Sequence, residues 1–143
     1  MSEDDAETRS DAEARAVVRA YYDALRSGDP LEPFFADDED AVKFGISERL
    51  VGGDDIAAGL REQTETTSGW TVDSRALRVT ERDDHAWFSD EVVLGWTGAD
   101  PPIRYEFETR WSGTLERRDE GGNPADDGEW RFVGMHVSTA GDI

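Results

Sequence analysis

From Ile103 to Glu116 the chain alternates. Ile103, Tyr105, Phe107, Thr109, Trp111 and Leu115 take turns with Arg104, Glu106, Glu108, Arg110 and Glu116. Successive side chains of a β-strand point to opposite faces, so this run is a long strand with one apolar and one wet face. A sheet covered on one side only is characteristically antiparallel. The neighbouring sequence supplies its partners. Ala86, Phe88, Asp90, Val92, Leu94 and Trp96 share one face of a preceding strand, entered by an Asp83-Asp84 turn. Trp70, Val72 and Ser74 alternate in one phase while Leu77 and Val79 fall in the other, and that slip near Ala76 predicts a β-bulge. Arg118 to Gly128 is rich in glycine and acid and reads as a hairpin loop before a last strand, Trp130 to Ser138. Trp130 and Phe132 point one way on it and Val133, Met135 and Val137 the other. A strand apolar on both faces lies centrally or has a second subunit across its outer face, so a homodimer is expected.

The first half has a different period. Ser10 and Glu13 form a capping box that opens a helix after an acidic tail, residues 1–9, expected to be disordered. Ala14, Val17, Val18, Tyr21 and Leu25 recur at three- and four-residue spacing on that helix, and Gly28 ends it. Asp29-Pro30 starts a second short helix through Phe34 and Phe35. Val42, Phe44 and Ile46 share one face of a short strand, and Gly52-Gly53 turns the chain into a third helix with Ile56 and Leu60 buried. Residues 10–140 thus read as a single α+β domain.

Thirty-four acids stand against 15 bases, a formal net charge of −19, and Lys43 is the only lysine. Such self-repulsion burdens a small fold in dilute buffer but fades in molar salt, where the screening length is about 3 Å. Few lysines and an acid-studded surface are what proteins of extreme halophiles show, and adaptation to a salty cytoplasm is expected. Nucleic acid is not an expected partner, because binding it takes clustered Lys and Arg. No apolar run approaches the roughly 20 residues that span a bilayer, so no membrane partner is expected either. With no cysteine there is no thiolate nucleophile and no Cys-based zinc site.

Several segments resemble one family. Tyr21-Tyr22-Asp23-Ala24-Leu25 running into Ser27-Gly28-Asp29, then Phe34-Phe35-Ala36-Asp37-Asp38, is similar to the first 40 residues of the nuclear transport factor 2-like superfamily. Val51-Gly52-Gly53 before Asp55-Ile56 resembles its entry to the third helix. His85-Ala86-Trp87, and Trp130-Arg131-Phe132-Val133 ending in His136-Val137-Ser138, resemble its SnoaL-like branch. The resemblance covers roughly residues 12 to 138. It implies a cone-shaped, curved antiparallel sheet wrapped around three N-terminal helices, with an apolar pocket inside. In ketosteroid isomerases of that fold, a general-base Asp works opposite a Tyr and a protonated Asp. The Tyr matches Tyr21; the base falls near Lys43 or Phe44 and the second acid within Trp111 to Thr114, where no carboxylate stands. Simple ketosteroid isomerase chemistry is therefore not expected.

The residues themselves offer other candidates. Asp90 sits on an apolar strand face, where a carboxylate must be paired or protonated and a general acid or base can be tuned; a one-residue slip would instead turn Glu91 inward. His136 suits proton transfer at neutral pH, and Ser138 shares its face without an orienting acid. A histidine bonded in the core or at a dimer seam explains His136 equally. Arg110 clamps a carboxylate or joins a solvated ion pair. Tyr21, Phe44, Asp90, Trp111 and His136 are expected around one cavity. His136, Asp90 and Tyr21 are the catalytic candidates; Phe44, Trp111, Arg110 and Ser138 would bind a small apolar ligand. No cofactor is expected, since no phosphate-cradling glycine loop is present. No metal is expected, since His85 and His136 are the only histidines and the acid runs lack ligand spacing. Two functions remain open: cofactor-free isomerisation, cyclisation or dehydration of an apolar carbonyl compound, or a non-catalytic ligand-binding or dimeric assembly module.

Overall fold

A computed structural model describes the backbone of residues 3–140 and the side chains of residues 13–140. Helix α1 spans Glu3–Ser27. Its backbone is helical seven residues ahead of the expected cap at Ser10, whose side chain lies outside the described residues. Nothing between Glu3 and Ser10 breaks a helix, and acids at its start are favoured by the helix dipole. At the other end Gly28 takes φ +73. Its amide bonds Leu25 O and that of Asp29 bonds Ala24 O, the paired closure that a left-handed residue permits.

The second expected helix is a single 3-10 turn, Glu32–Phe34, with Pro33 removing a donor inside it. Two short strands follow, β1 (Val42–Phe44) and β2 (Arg49–Val51), joined by a tight loop that Gly45 N closes onto Glu48 O. Helix α2 spans Gly53–Thr66 and buries Ile56 and Leu60 completely, as its periodicity predicts. The remaining strands are β3 (Thr67–Ser74), β4 (Arg78–Glu81), β5 (His85–Gly98), β6 (Arg104–Arg118) and β7 (Glu129–Thr139).

The sheet runs β2-β1-β7-β6-β5-β3, with β4 also on β5. It curves around α1, whose buried residues Ala14, Val18, Tyr21, Tyr22 and Leu25 face its concave side. The sheet is mixed rather than wholly antiparallel, because β1 pairs with β7 in parallel. Most of the chain lies between those two strands, which leaves ample length for the crossover that parallel pairing requires. The slip near Ala76 is a break and not a bulge: β3 stops at Ser74 and β4 restarts at Arg78, and the Ala76 amide bonds the Asp90 carboxylate instead of a ladder carbonyl.

The bulge lies elsewhere. Thr114 pairs with Gly134 but Leu115 pairs with Phe132, so Val133 has no opposite number. One extra residue sends every later side chain to the other face. Trp130, Phe132, Met135 and Val137 are therefore all buried together, and His136 is exposed. The two apolar faces expected of β7 are one face interrupted by a bulge. Gly113 allows it: a Cβ there would lie 2.6 Å from the Gly134 carbonyl oxygen and from the Phe88 ring.

Candidate functional site

Lys43 is buried at 5% exposure while its neighbour Phe44 is 39% exposed, so the short strand β1 turns its charged residue inward and its ring outward. The Lys43 ammonium donates to the Glu48 carboxylate across the β1–β2 hairpin. An ammonium taken out of water costs several kcal/mol unless an anion accompanies it, and Glu48 is that anion. Gly45 makes room for the pairing, since a Cβ there would lie 2.6 Å from Glu48 Cγ.

Lys43 and Glu48 line a pocket of about 160 Å³ whose walls include four aromatic side chains, Tyr21, Trp70, Trp96 and Trp111, together with Leu94 and Val137. Trp70 and Trp96 stack at 5.0 Å and 19°. Trp70 is aimed by a register shift between Ser68 and Thr71, where Gly69 takes φ +63, and its indole N–H bonds Thr67 Oγ1 at 2.9 Å. Tyr21 reaches the pocket from α1, its ring edge-on to Phe34, Phe35, Trp111 and Phe132. Its hydroxyl has no hydrogen-bond partner among the described residues. Burial, and then the charge of Glu48, push this phenol well above the usual tyrosine range, so it stays protonated and able to donate a hydrogen bond. The pocket thus offers a phenol donor, an ammonium and a carboxylate beside flat aromatic walls.

Asp90 faces inward, so the expected strand phase holds for β5. It does not line this pocket. Its carboxylate accepts from Tyr22 Oη at 2.9 Å, Ser74 Oγ at 2.5 Å and Ala76 N at 2.9 Å. The partner is Tyr22 rather than Tyr21 or His136. Burial, and then the charge and acceptor of Asp90, raise the Tyr22 phenol above its ordinary range. With three donors on it, Asp90 ties α1, the end of β3 and the β3–β4 break to β5.

The other expected site residues separate. Tyr21 and Trp111 meet at the pocket. His136 lies on the convex face, opposite Ser112 and 6.0 Å from the exposed Phe44 ring. The Val133 bulge moved His136 there, and Ser138 and Arg110, paired with each other in the ladder, follow it. Arg110 is exposed, bonded to Thr139 O. Lys43, Glu48, Trp70, Trp96 and Gln63 were missed. The available signal was Lys43 itself, the one lysine of a chain that otherwise uses arginine.

Among the described residues no helix is long and apolar enough to cross a membrane, and no group of three or more His, Asp or Glu is placed to hold a metal ion.

A family model of the SnoaL-like domain matches residues 14–142. The chain belongs to the SnoaL-like family. No curated protein matches it. Solved structures agree in fold with this SnoaL-like domain. A nuclear transport factor 2-like superfamily protein from Salmonella enterica serovar Typhimurium superposes with a TM-score of 0.77 at 16% identity, covering 95% of this chain and 94% of that one. A candidate dehydratase of the same superfamily from Streptomyces avermitilis gives 0.76 at 13% identity, with 94% and 99% covered. A ketosteroid isomerase-like protein from Erwinia carotovora gives 0.71 at 18%, with 93% and 98% covered. At these identities the likeness establishes the α+β cone.

Proposed function

We propose that this SnoaL-like domain binds a small planar carbonyl compound between its tryptophans and moves a proton on it without a cofactor. One observation carries the reading: the chain's only lysine is buried in an aromatic pocket, holding a carboxylate beside a phenol that has no partner among the described residues. The substrate's carbonyl oxygen accepts from Tyr21, and Glu48 takes a proton from the carbon next to the carbonyl. The electron pair moves onto the oxygen as an enolate, which Tyr21 holds by a hydrogen bond. Lys43 positions Glu48 before transfer and faces the developing anion after it. Returning that proton from Glu48 to another carbon gives isomerisation; handing it to a β-hydroxyl, which leaves as water, gives dehydration. The names borne by two structural neighbours, a ketosteroid isomerase-like protein and a candidate dehydratase, fall in the same reaction class. Tyr21 keeps the polarising role expected of it, and Glu48 takes the place of Asp90 and His136 as the proton-transfer group.

A second reading has its own support. The pocket is small, about five waters' worth at ~30 Å³ each, and Asp90, Tyr22, Phe88 and Phe132 fill the rest of the cone. That suits a binding or assembly module without chemistry. Proton exchange separates the two. With acetophenone in deuterated buffer, loss of the methyl proton signal should be accelerated by the native protein. Glu48→Gln should lower that rate about 10²-fold or more while leaving the quench of tryptophan fluorescence intact. Binding without exchange assigns the module instead; no binding removes the pocket from function altogether.

A further inference from the structure

Behind the tryptophan pocket lies a second chamber of about 170 Å³, and four residues, Leu25, Gln63, Thr67 and Trp70, line both. These four are therefore a partition. Gln63 carries an amide with no hydrogen-bond partner among the described residues, a donor and an acceptor left free where the two spaces meet. The second chamber differs in chemistry from the first. It is built on the end of α1 and the two residues after it, around Ser27, Gly28 and Asp29, and closed by Thr64 and Ser68. The carboxyl end of a helix carries partial negative charge. Asp29 adds a full one, and its carboxylate has no ion pair or hydrogen bond among the described residues. The cation present, Arg26, is already committed to Asp23 at 2.6 Å and to the Val72 carbonyl at 2.6 Å. A chain of net charge −19 also draws cations toward its clefts.

We propose that the two chambers form one ligand site, for a molecule with a planar carbonyl head and a short cationic amine tail. The head lies against Trp96 and Trp111; the tail passes Gln63, which hydrogen-bonds at the junction, and its ammonium meets Asp29 and the end of α1. This rests on the pocket reading above and adds the tail.

Affinities from tryptophan quenching at fixed ionic strength test it. The probes are acetophenone and its ring-substituted relatives bearing a hydroxyethyl or an aminoethyl arm meta to the carbonyl. The aminoethyl compound should bind about tenfold more tightly than acetophenone, with the hydroxyethyl compound between them. Asp29→Asn should erase the advantage of ammonium over hydroxyl, and Thr64→Phe should fill the chamber and erase both gains while leaving acetophenone unchanged. Asp29 is exposed, so its variant stays informative if Thr64→Phe fails to fold. If the three compounds bind native protein alike, or if neither substitution touches the gain, the tail chamber is wrong and the tryptophan pocket stands. If none of them binds, both fall.

Discussion

The Asp90 carboxylate gives a test with a sign as well as a size. Removing it as Asp90→Ala strands three donors unequally. The Tyr22 hydroxyl is buried, Tyr22 being 1% exposed, and an unpaired buried donor costs about 1–3 kcal/mol. The Ala76 amide is half-buried and adds about 1 kcal/mol. Ser74 is exposed and turns back to water at almost no cost. The expected loss is therefore about 2–4 kcal/mol, a fall in Tm of roughly 6–12 °C for a domain of this size. Tyr22→Phe alone should cost about 1 kcal/mol, because Asp90 keeps two donors. In the Asp90→Ala background the same change should raise stability, because it deletes the stranded hydroxyl. Denaturant unfolding of all four proteins measures the cycle. If Tyr22→Phe costs the same with and without Asp90, the hydrogen bond does not hold α1 to the sheet and the argument is lost.

Three further outcomes are expected. Melting temperature should climb steeply from dilute buffer to molar KCl as screening relieves the −19 charge; a flat or falling curve speaks against high-salt adaptation. The folded state holds Tyr21 and Tyr22 protonated above the ordinary phenol range. The unfolded chain releases those protons from about pH 10, so stability should be full below that pH and drain as pH rises past it. Absorbance at the phenolate band should then show both phenols ionising only with unfolding. Light scattering in high salt should give twice the chain mass, because the convex face still exposes Phe44 and Trp87; a clean monomer would refute a dimer through that face.

How far the sequence could be read depended on whether alternation ran unbroken. Along β5 it did, and Asp90, Phe88 and Val92 all lie inside as expected. Along β7 one extra residue at Val133 reversed the phase, and the expected His136 site left the cavity with it. Apolar residues stood on both sides of that strand, so hydrophobicity alone did not reveal the slip. The mark it left was in the neighbouring strand, where Gly113 sits inside an otherwise bulky run. The pocket was lost for a different reason. In three-residue β1, Val42 and Phe44 look like the inward pair, yet the inward residue is Lys43, chosen by a partner five residues on rather than by its own polarity. A side-chain pair closed across a hairpin loop has no period to detect.

The charge distribution sets one last expectation. Most of the chain's acids are solvated, and molar salt screens them over about 3 Å. Lys43 and Glu48 meet inside the pocket, where salt screens far less. Fold stability and ligand binding should therefore respond to salt differently. Across a KCl range that shifts Tm steeply, the affinity for acetophenone should stay nearly constant, since aromatic walls and a buried donor supply it. The gain from an aminoethyl arm should fade over the same range, because Asp29 is exposed and its attraction is screened. Titrations at three or more salt concentrations, each above the unfolding threshold, separate these contributions. Acetophenone affinity that tracks Tm would mean that the pocket forms only as salt consolidates the fold, and the Lys43–Glu48 pair would then be a product of that consolidation rather than its independent core.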